Sequence, residues 1–155
     1  MVQGIEMEIS RASRRVNESA TIGFVSECLE SLYESPQNLK IGLMGLSFKG
    51  EPKVQDTRGA FSVQIVDHFA SMNYEFFGYE PAGLVEIQKI RSLPSMQEVL
   101  NNCEVIIIVN RSDEFRDIPK LLSNFESTGI RLIIDMWGIL INYDLPKGVQ
   151  YKSWG

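Results

Sequence analysis

Apolar positions recur every three to five residues at the start of the chain: Ile5, Ile9, Ala12, Val16, Ala20, Val25, Leu29 and Leu32. That period predicts a long amphipathic helix over residues 4–33. Val16-Asn17-Glu18-Ser19 and the lone Gly23 are candidate breaks, so two shorter helices are the alternative. At about 1.5 Å per residue a helix of this length runs roughly 45 Å, more than a small domain's diameter. It is expected to project from the body or to pack on a second copy. Ser35-Pro36-Gln37-Asn38 then reads as a linker.

Past the linker the period changes. Lys40–Leu46 is a short apolar run that predicts a buried strand, and residues 60–72 return to helical spacing through Phe61, Ile65, Val66 and Phe69. Tyr74–Tyr79 reads as an aromatic strand closed by Glu80-Pro81-Ala82-Gly83, and Ser95–Asn101 as a short helix after Pro94. Glu104–Asn110 is the clearest buried strand, with consecutive β-branched residues at its centre. Ile118–Phe125 predicts a helix, Arg131–Met136 a strand, and Gly148–Tyr151 a last edge strand. Strands alternating with helices at this spacing imply right-handed βαβ crossovers and a mostly parallel sheet. No internal repeat or low-complexity tract interrupts the pattern.

Composition narrows the function classes. The chain has 155 residues, 44% of them hydrophobic and 23% charged, which suits one globular domain with an ordinary core. Fifteen Lys and Arg against twenty Asp and Glu give a net charge of −5. This argues against a broadly basic surface for nucleic acid or anionic membrane, while leaving room for one local basic pocket. No apolar run approaches the roughly 20 residues of a membrane span. Glu6, Glu8 and Arg11 fall where the apolar part of a signal peptide would lie, so a cytoplasmic protein is expected. Cys28 and Cys103 have no metal-like or CxxC spacing and read as buried free thiols in a reducing compartment. His68, the single histidine, has no Cys or His at ligand spacing, which disfavours metal chemistry and a Ser-His-Asp triad.

In an open α/β sheet, ligands bind beyond the carboxyl ends of the strands. Three loops meet there: residues 47–58, 110–116 and 137–140. The first is longer than the 2–6 residues usual for a βα connection and carries Lys49, Lys53 and Arg58. Basic residues on surplus loop at a strand end are what a phosphate site needs, and they are equally what a solvated loop looks like. The loop is not a P-loop, and Gly42, Gly45 and Gly50 miss the GxGxxG spacing of a dinucleotide fingerprint.

The stretch GLSFKGEPKVQDTRG, residues 45–59, resembles the GLxFKxxxxDxR motif that opens the C-terminal domain of the UDP-glucose/GDP-mannose dehydrogenase family. Gly78-Tyr79-Glu80-Pro81 resembles that family's YDP after the second strand. Residues 95–116 resemble its short helix, apolar strand and Asp-Glu-Phe-like end, and Ile133–Gly138 its fourth strand with an Asp-x-Arg-type turn. Ala12-Ser13-Arg14-Arg15-Val16-Asn17 is similar to the end of its central dimerisation helix. The motifs occur in order over nearly the whole chain.

The resemblance implies a Rossmann-like, doubly wound α/β fold with a mostly parallel sheet, preceded by a long N-terminal helix. It implies a helical segment over residues 1–36, the end of the dimerisation domain, and a nucleotide-sugar-binding domain over 37–155. Phe48 and Lys49 match the Phe-Lys pair that contacts the nucleotide sugar: Lys49 would set an ammonium near a diphosphate or sugar oxygen, and Phe48 would pack on the nucleotide. Asp56 and Arg58 match the D-x-R. Either Asp56 caps the helix beginning near Gly59 and Arg58 ties the loop down, or the pair touches ligand.

Trp137 stands where the family commonly has a substrate-contacting Arg, and cannot supply that bidentate charge. Stacking on a base or sugar and a core-facing position are both open. Glu80 for Asp is a milder departure. Gly-Glu-Pro after Lys49 looks more like enzymes acting on UDP-N-acetylhexosamines than like the glucose-specific branch.

The whole enzyme would be a cytoplasmic NAD-dependent oxidoreductase oxidising C6 of a UDP-hexose or UDP-N-acetylhexosamine to the uronate, for polysaccharide biosynthesis. NAD would be bound by an N-terminal domain with no counterpart here, nor has the catalytic Cys segment one, so this chain alone is expected to be inactive. A homodimer through residues 5–32 is expected. The alternatives are a non-catalytic nucleotide-sugar-binding module and a doubly wound domain of another class. A receiver is disfavoured because no paired acidic residues follow the first strand.

Overall fold

The computed structural model describes residues 2–32, 37–125 and 128–154, with side chains described from Glu8 onward. Ser35 and Pro36 of the expected linker, and Tyr33 at the expected end of the first helix, lie outside the described residues. Helix α1 (Val2–Glu30) runs unbroken past both candidate breaks. Strand β1 (Lys40–Met44) is followed by α2 (Phe61–His68), β2 (Glu75–Tyr79) and β3 (Ile90–Ser92). Then come α3 (Met96–Asn102), β4 (Val105–Ile108), a 3-10 helix (Asp113–Asp117), α4 (Ile118–Ser123), β5 (Leu132–Asp135) and β6 (Gln150–Ser153). The short β3 and the 3-10 helix were not expected, and β6 lies further along than the expected edge strand over 148–151.

The strands form one six-stranded sheet in the order β3-β2-β1-β4-β5-β6, and every neighbouring pair is parallel. This is the doubly wound order with its switch point between β1 and β4. The period of two along each strand splits the core. Ile41, Leu43, Val105, Ile107, Leu132 and Ile134 point to one face, where Val25, Leu29, Ile65 and Val66 from α1 and α2 cover them. Met44, Ile106, Ile108 and Ile133 point to the other, under Val99 and Leu100 of α3, Phe115, and Ile118 and Leu122 of α4. Each such aliphatic side chain stabilises the fold by about 1.5–3 kcal/mol relative to exposure, which explains why β4 and β5 read as unbroken apolar runs.

Only the later turns of α1 join this core. Val25, Cys28, Leu29 and Leu32 are buried, whereas Ile9 and Val16 are 62% and 65% exposed. The first half of α1 therefore adds little to this core and stays largely exposed. Among the described residues no helix is long and apolar enough to cross a membrane.

Candidate functional site

The carboxyl ends of β1, β2, β4 and β5 are organised by two buried carboxylates. Glu80, 4% exposed, follows β2 and turns inward. Its Oε2 accepts from the backbone N–H of Leu46 at 2.8 Å, the backbone N–H of Ser47 at 2.9 Å and the Ser47 hydroxyl at 2.9 Å. Asn110, at the end of β4, donates from Nδ2 to the Ser47 carbonyl at 3.1 Å and more weakly to Glu80 at 3.4 Å. Asp135 closes β5 in the same way. It accepts from the backbone N–H groups of Trp137 at 3.0 Å and Leu140 at 2.8 Å, and from the Tyr151 hydroxyl at 2.8 Å. Burial, then the bond to Asp135, pushes the Tyr151 phenol up to about 12.

These anchors set the loop over residues 47–58. Gly50 lies against the next loop so closely that a Cβ there would meet the Arg111 carbonyl oxygen at 1.8 Å. Lys53 reaches across to an ion pair with Glu114, whose other oxygen accepts from the Tyr79 hydroxyl at 2.8 Å. Lys53 holds the Glu114 carboxyl below its ordinary value, aided by the Tyr79 bond. The loop is thus tied to the ends of both β2 and β4. Residues 50–55 separate Lys49 from Asp56, a longer stretch than the motif it resembles.

Asp56 does not cap α2. Its carboxylate accepts from the Arg58 backbone N–H at 3.0 Å and from the guanidinium at 2.9 and 2.8 Å, while Ala60 precedes α2 without a side-chain cap. The Arg58 guanidinium drives the Asp56 carboxyl down to about 2. Arg58 does not tie the loop to the body either: its side chain is 90% exposed and its ion pair is local. What fastens α2 to the β1 turn is Ser62, whose hydroxyl donates to the Leu46 carbonyl at 2.7 Å.

Two neighbouring crevices open between α1 and these loops. The larger, about 780 Å³, is lined by Arg14 and Asn17 of α1, by Phe48, Arg58 and Gly59 of the first loop, and by Phe61 of α2. The smaller, about 210 Å³, is lined by Asn17, Thr21, Phe61, Met136, Trp137 and Trp154. Asn17 and Phe61 border both. Phe48 and Arg58 thus come together in the first and Trp137 stands in the second. Lys49 lines neither; it is exposed beside Phe48. Trp137 is not core-facing: it is half exposed, with its indole N–H donated to the Val109 carbonyl at 2.9 Å. The roles of Glu80, Asp135 and Ser62 escaped the sequence reading, although an acidic residue closing an apolar strand marks the first two.

Cys28 and Cys103 are both buried, and burial pushes their thiols up to about 11 and about 12. Among the described residues no cluster of His, Cys, Asp and Glu is arranged to hold a metal ion.

A model of the UDP-glucose/GDP-mannose dehydrogenase family, UDP binding domain, matches residues 42–142. No curated protein sequence gives a significant match. Among solved structures, a UDP-glucose dehydrogenase from the hyperthermophilic archaeon Pyrobaculum islandicum is 22% identical, with a TM-score of 0.65 over 97% of this chain and 33% of its own. A GDP-mannose dehydrogenase from Pseudomonas aeruginosa is 18% identical, with a TM-score of 0.65 over 97% of this chain and 38% of its own. The UDP-N-acetyl-mannosamine dehydrogenase of S. aureus is 19% identical, with a TM-score of 0.63 over 89% of this chain and 30% of its own. The chain therefore spans about a third of the length of these structures.

Proposed function

Because the chain belongs to the UDP-glucose/GDP-mannose dehydrogenase family, through its UDP-binding domain, we propose that it holds the nucleotide sugar in an NAD-dependent 6-dehydrogenase. The whole enzyme oxidises C6 of a UDP-hexose or UDP-N-acetylhexosamine to the uronate. The observation that carries this reading is the pair of adjoining crevices beyond the carboxyl ends of the strands, one lined by Phe48 and Arg58 and the other by Trp137. Phe48, 55% exposed, offers a ring to the nucleotide. Lys49 beside it and Arg14 in the crevice supply positive charge for a diphosphate, while the charge of Arg58 is already answered by Asp56. The division at residues 1–36 and 37–155, and a homodimer through residues 5–32, belong to the same proposal.

NAD does not fit this domain. In a dinucleotide-binding sheet the amides after β1 face the pyrophosphate. Here the Leu46 and Ser47 amides are taken by Glu80. The nicotinamide chemistry and its nucleophile are therefore assigned to another part of the enzyme, and this chain alone should produce no NADH from a UDP-sugar. A second reading, a non-catalytic nucleotide-sugar-binding module, draws on the two buried, protonated cysteines.

The test is titration of the 15N-labelled chain with UDP. With one wall of a shared site, the expected dissociation constant is on the order of 1 mM. It should weaken with salt, because the attraction is partly exposed and screened. Amide shifts with UDP should centre on Phe48, Lys49 and the 110–116 loop, reaching Trp137 when a UDP-sugar replaces UDP, and Lys49→Ala should remove much of the binding. Shifts elsewhere, or an affinity unchanged in Lys49→Ala, would refute the placement.

A further inference from the structure

We propose that the smaller crevice is a stacking site for the hexose ring of the nucleotide sugar, with Trp137 as its platform. This rests on the nucleotide-sugar reading above and adds which part of the ligand enters which crevice.

The platform is held before any ligand arrives. The Trp137 indole N–H is fixed on the Val109 carbonyl, and its backbone N–H on the buried Asp135 carboxylate. Half of the residue nevertheless stays exposed. Trp154 is steadied against Phe24 of α1, ring centroids 5.3 Å apart. Phe61 and Met136 complete an apolar wall, and no charged side chain lines the cleft.

Its polar groups are partly engaged already. The Thr21 hydroxyl donates to the Asn17 carbonyl at 2.9 Å and the Trp137 indole N–H is taken, which leaves the Asn17 side-chain amide and the Trp154 indole N–H. A diphosphate would find no cation there. A nucleobase would press its hydrogen-bonding edge against largely apolar walls, with one side-chain amide and one indole N–H to answer it. A pyranose suits the cleft better. Its axial C–H bonds give an apolar face for an indole, while equatorial hydroxyls reach the Asn17 amide and the open side. The adjoining crevice, sharing Asn17 and Phe61, carries Arg14 for the diphosphate, beside Glu18 and the Arg58–Asp56 pair.

The two indole N–H signals of the chain, from Trp137 and Trp154, serve as reporters during titration with UDP, UDP-glucose and UDP-N-acetylglucosamine. The Trp137 signal, assigned by its loss in Trp137→Phe, should move with the sugar nucleotides and hardly with UDP. At least one sugar nucleotide should bind about fivefold tighter than UDP. Trp137→Ala should bring all three to within twofold of one another and leave the UDP affinity as it was, whereas Trp137→Phe should keep most of the preference. Equal binding of all three to the unaltered chain would overturn the proposal while the nucleotide reading stands. So would a Trp137→Ala variant that weakens UDP and the sugar nucleotides in equal proportion, since Trp137 would then support the fold or the nucleotide. If none of the three binds, the nucleotide-sugar reading fails and this proposal with it.

Discussion

The carboxylate of Glu80 sits where protein groups rather than water answer its charge, with two backbone amides and a hydroxyl on one oxygen. A hydrogen bond to a buried charged group contributes more than a neutral one, and each donor left orphaned costs about 1–3 kcal/mol. Glu80→Ala strands the Leu46 and Ser47 donors together, so we expect a loss of roughly 2–4 kcal/mol in urea unfolding. Glu80→Gln keeps an acceptor and should lose less than half of that. A loss below 1 kcal/mol for Glu80→Ala would mean that the turn after β1 holds itself. The Gly-Tyr-Glu-Pro signature was legible as a strand end. Its inward bonding was not, because Leu46 and Ser47, which donate to its Oε2, lie more than thirty residues away in the chain.

Among the elements, those written as long periodic runs were the legible ones. The buried strands β1, β4 and β5 follow from consecutive apolar residues flanked by turns. Strand β3 is three residues at a sheet edge with Arg91 at its centre, too short and too polar to show a period. Gly23 looked like a break, yet α1 continues, because the cost of one helical glycine is small beside the burial of Val25, Cys28 and Leu29. A Cβ at Gly23 would meet nothing within 4 Å, so Gly23→Ala should stabilise the chain by about 0.5–1 kcal/mol, raising the thermal midpoint. Lys53 read only as one of three basic residues on the loop, since its partner Glu114 comes from beyond β4. The Glu114 carboxyl is held below its unfolded value, about 4.3. The stabilisation it brings is therefore present above that pH and is lost as the pH falls through the lower folded value. In a carbon-detected titration Glu114 should titrate below the ordinary Glu range, and Lys53→Met should move its midpoint up. An unmoved midpoint would show that the pair does not persist in solution.

At the scale of the whole molecule, the sheet, its helices and the last turns of α1 share the core, and the earlier turns of α1 meet the first loop only across a crevice. Residues 8–17 are exposed along this arm, Ile9 and Val16 heavily so. An amphipathic helix gains most of its stability from packing, and isolated helices are marginal in water, so an arm of this kind calls for a partner surface. Two copies related by a two-fold axis offer each other the same stripe, an isologous contact that closes on itself. Light scattering at high micromolar concentration should therefore give the mass of a dimer. The double change Ile9→Glu with Val16→Glu places like charges across that contact and should yield a monomer. The thermal midpoint of the body should then shift little beyond the loss of the dimer's own concentration dependence, because neither side chain touches the core. A monomer from the unaltered chain with α1 fully helical by circular dichroism would exclude this assembly, and would leave the crevice between α1 and the first loop complete within a single copy.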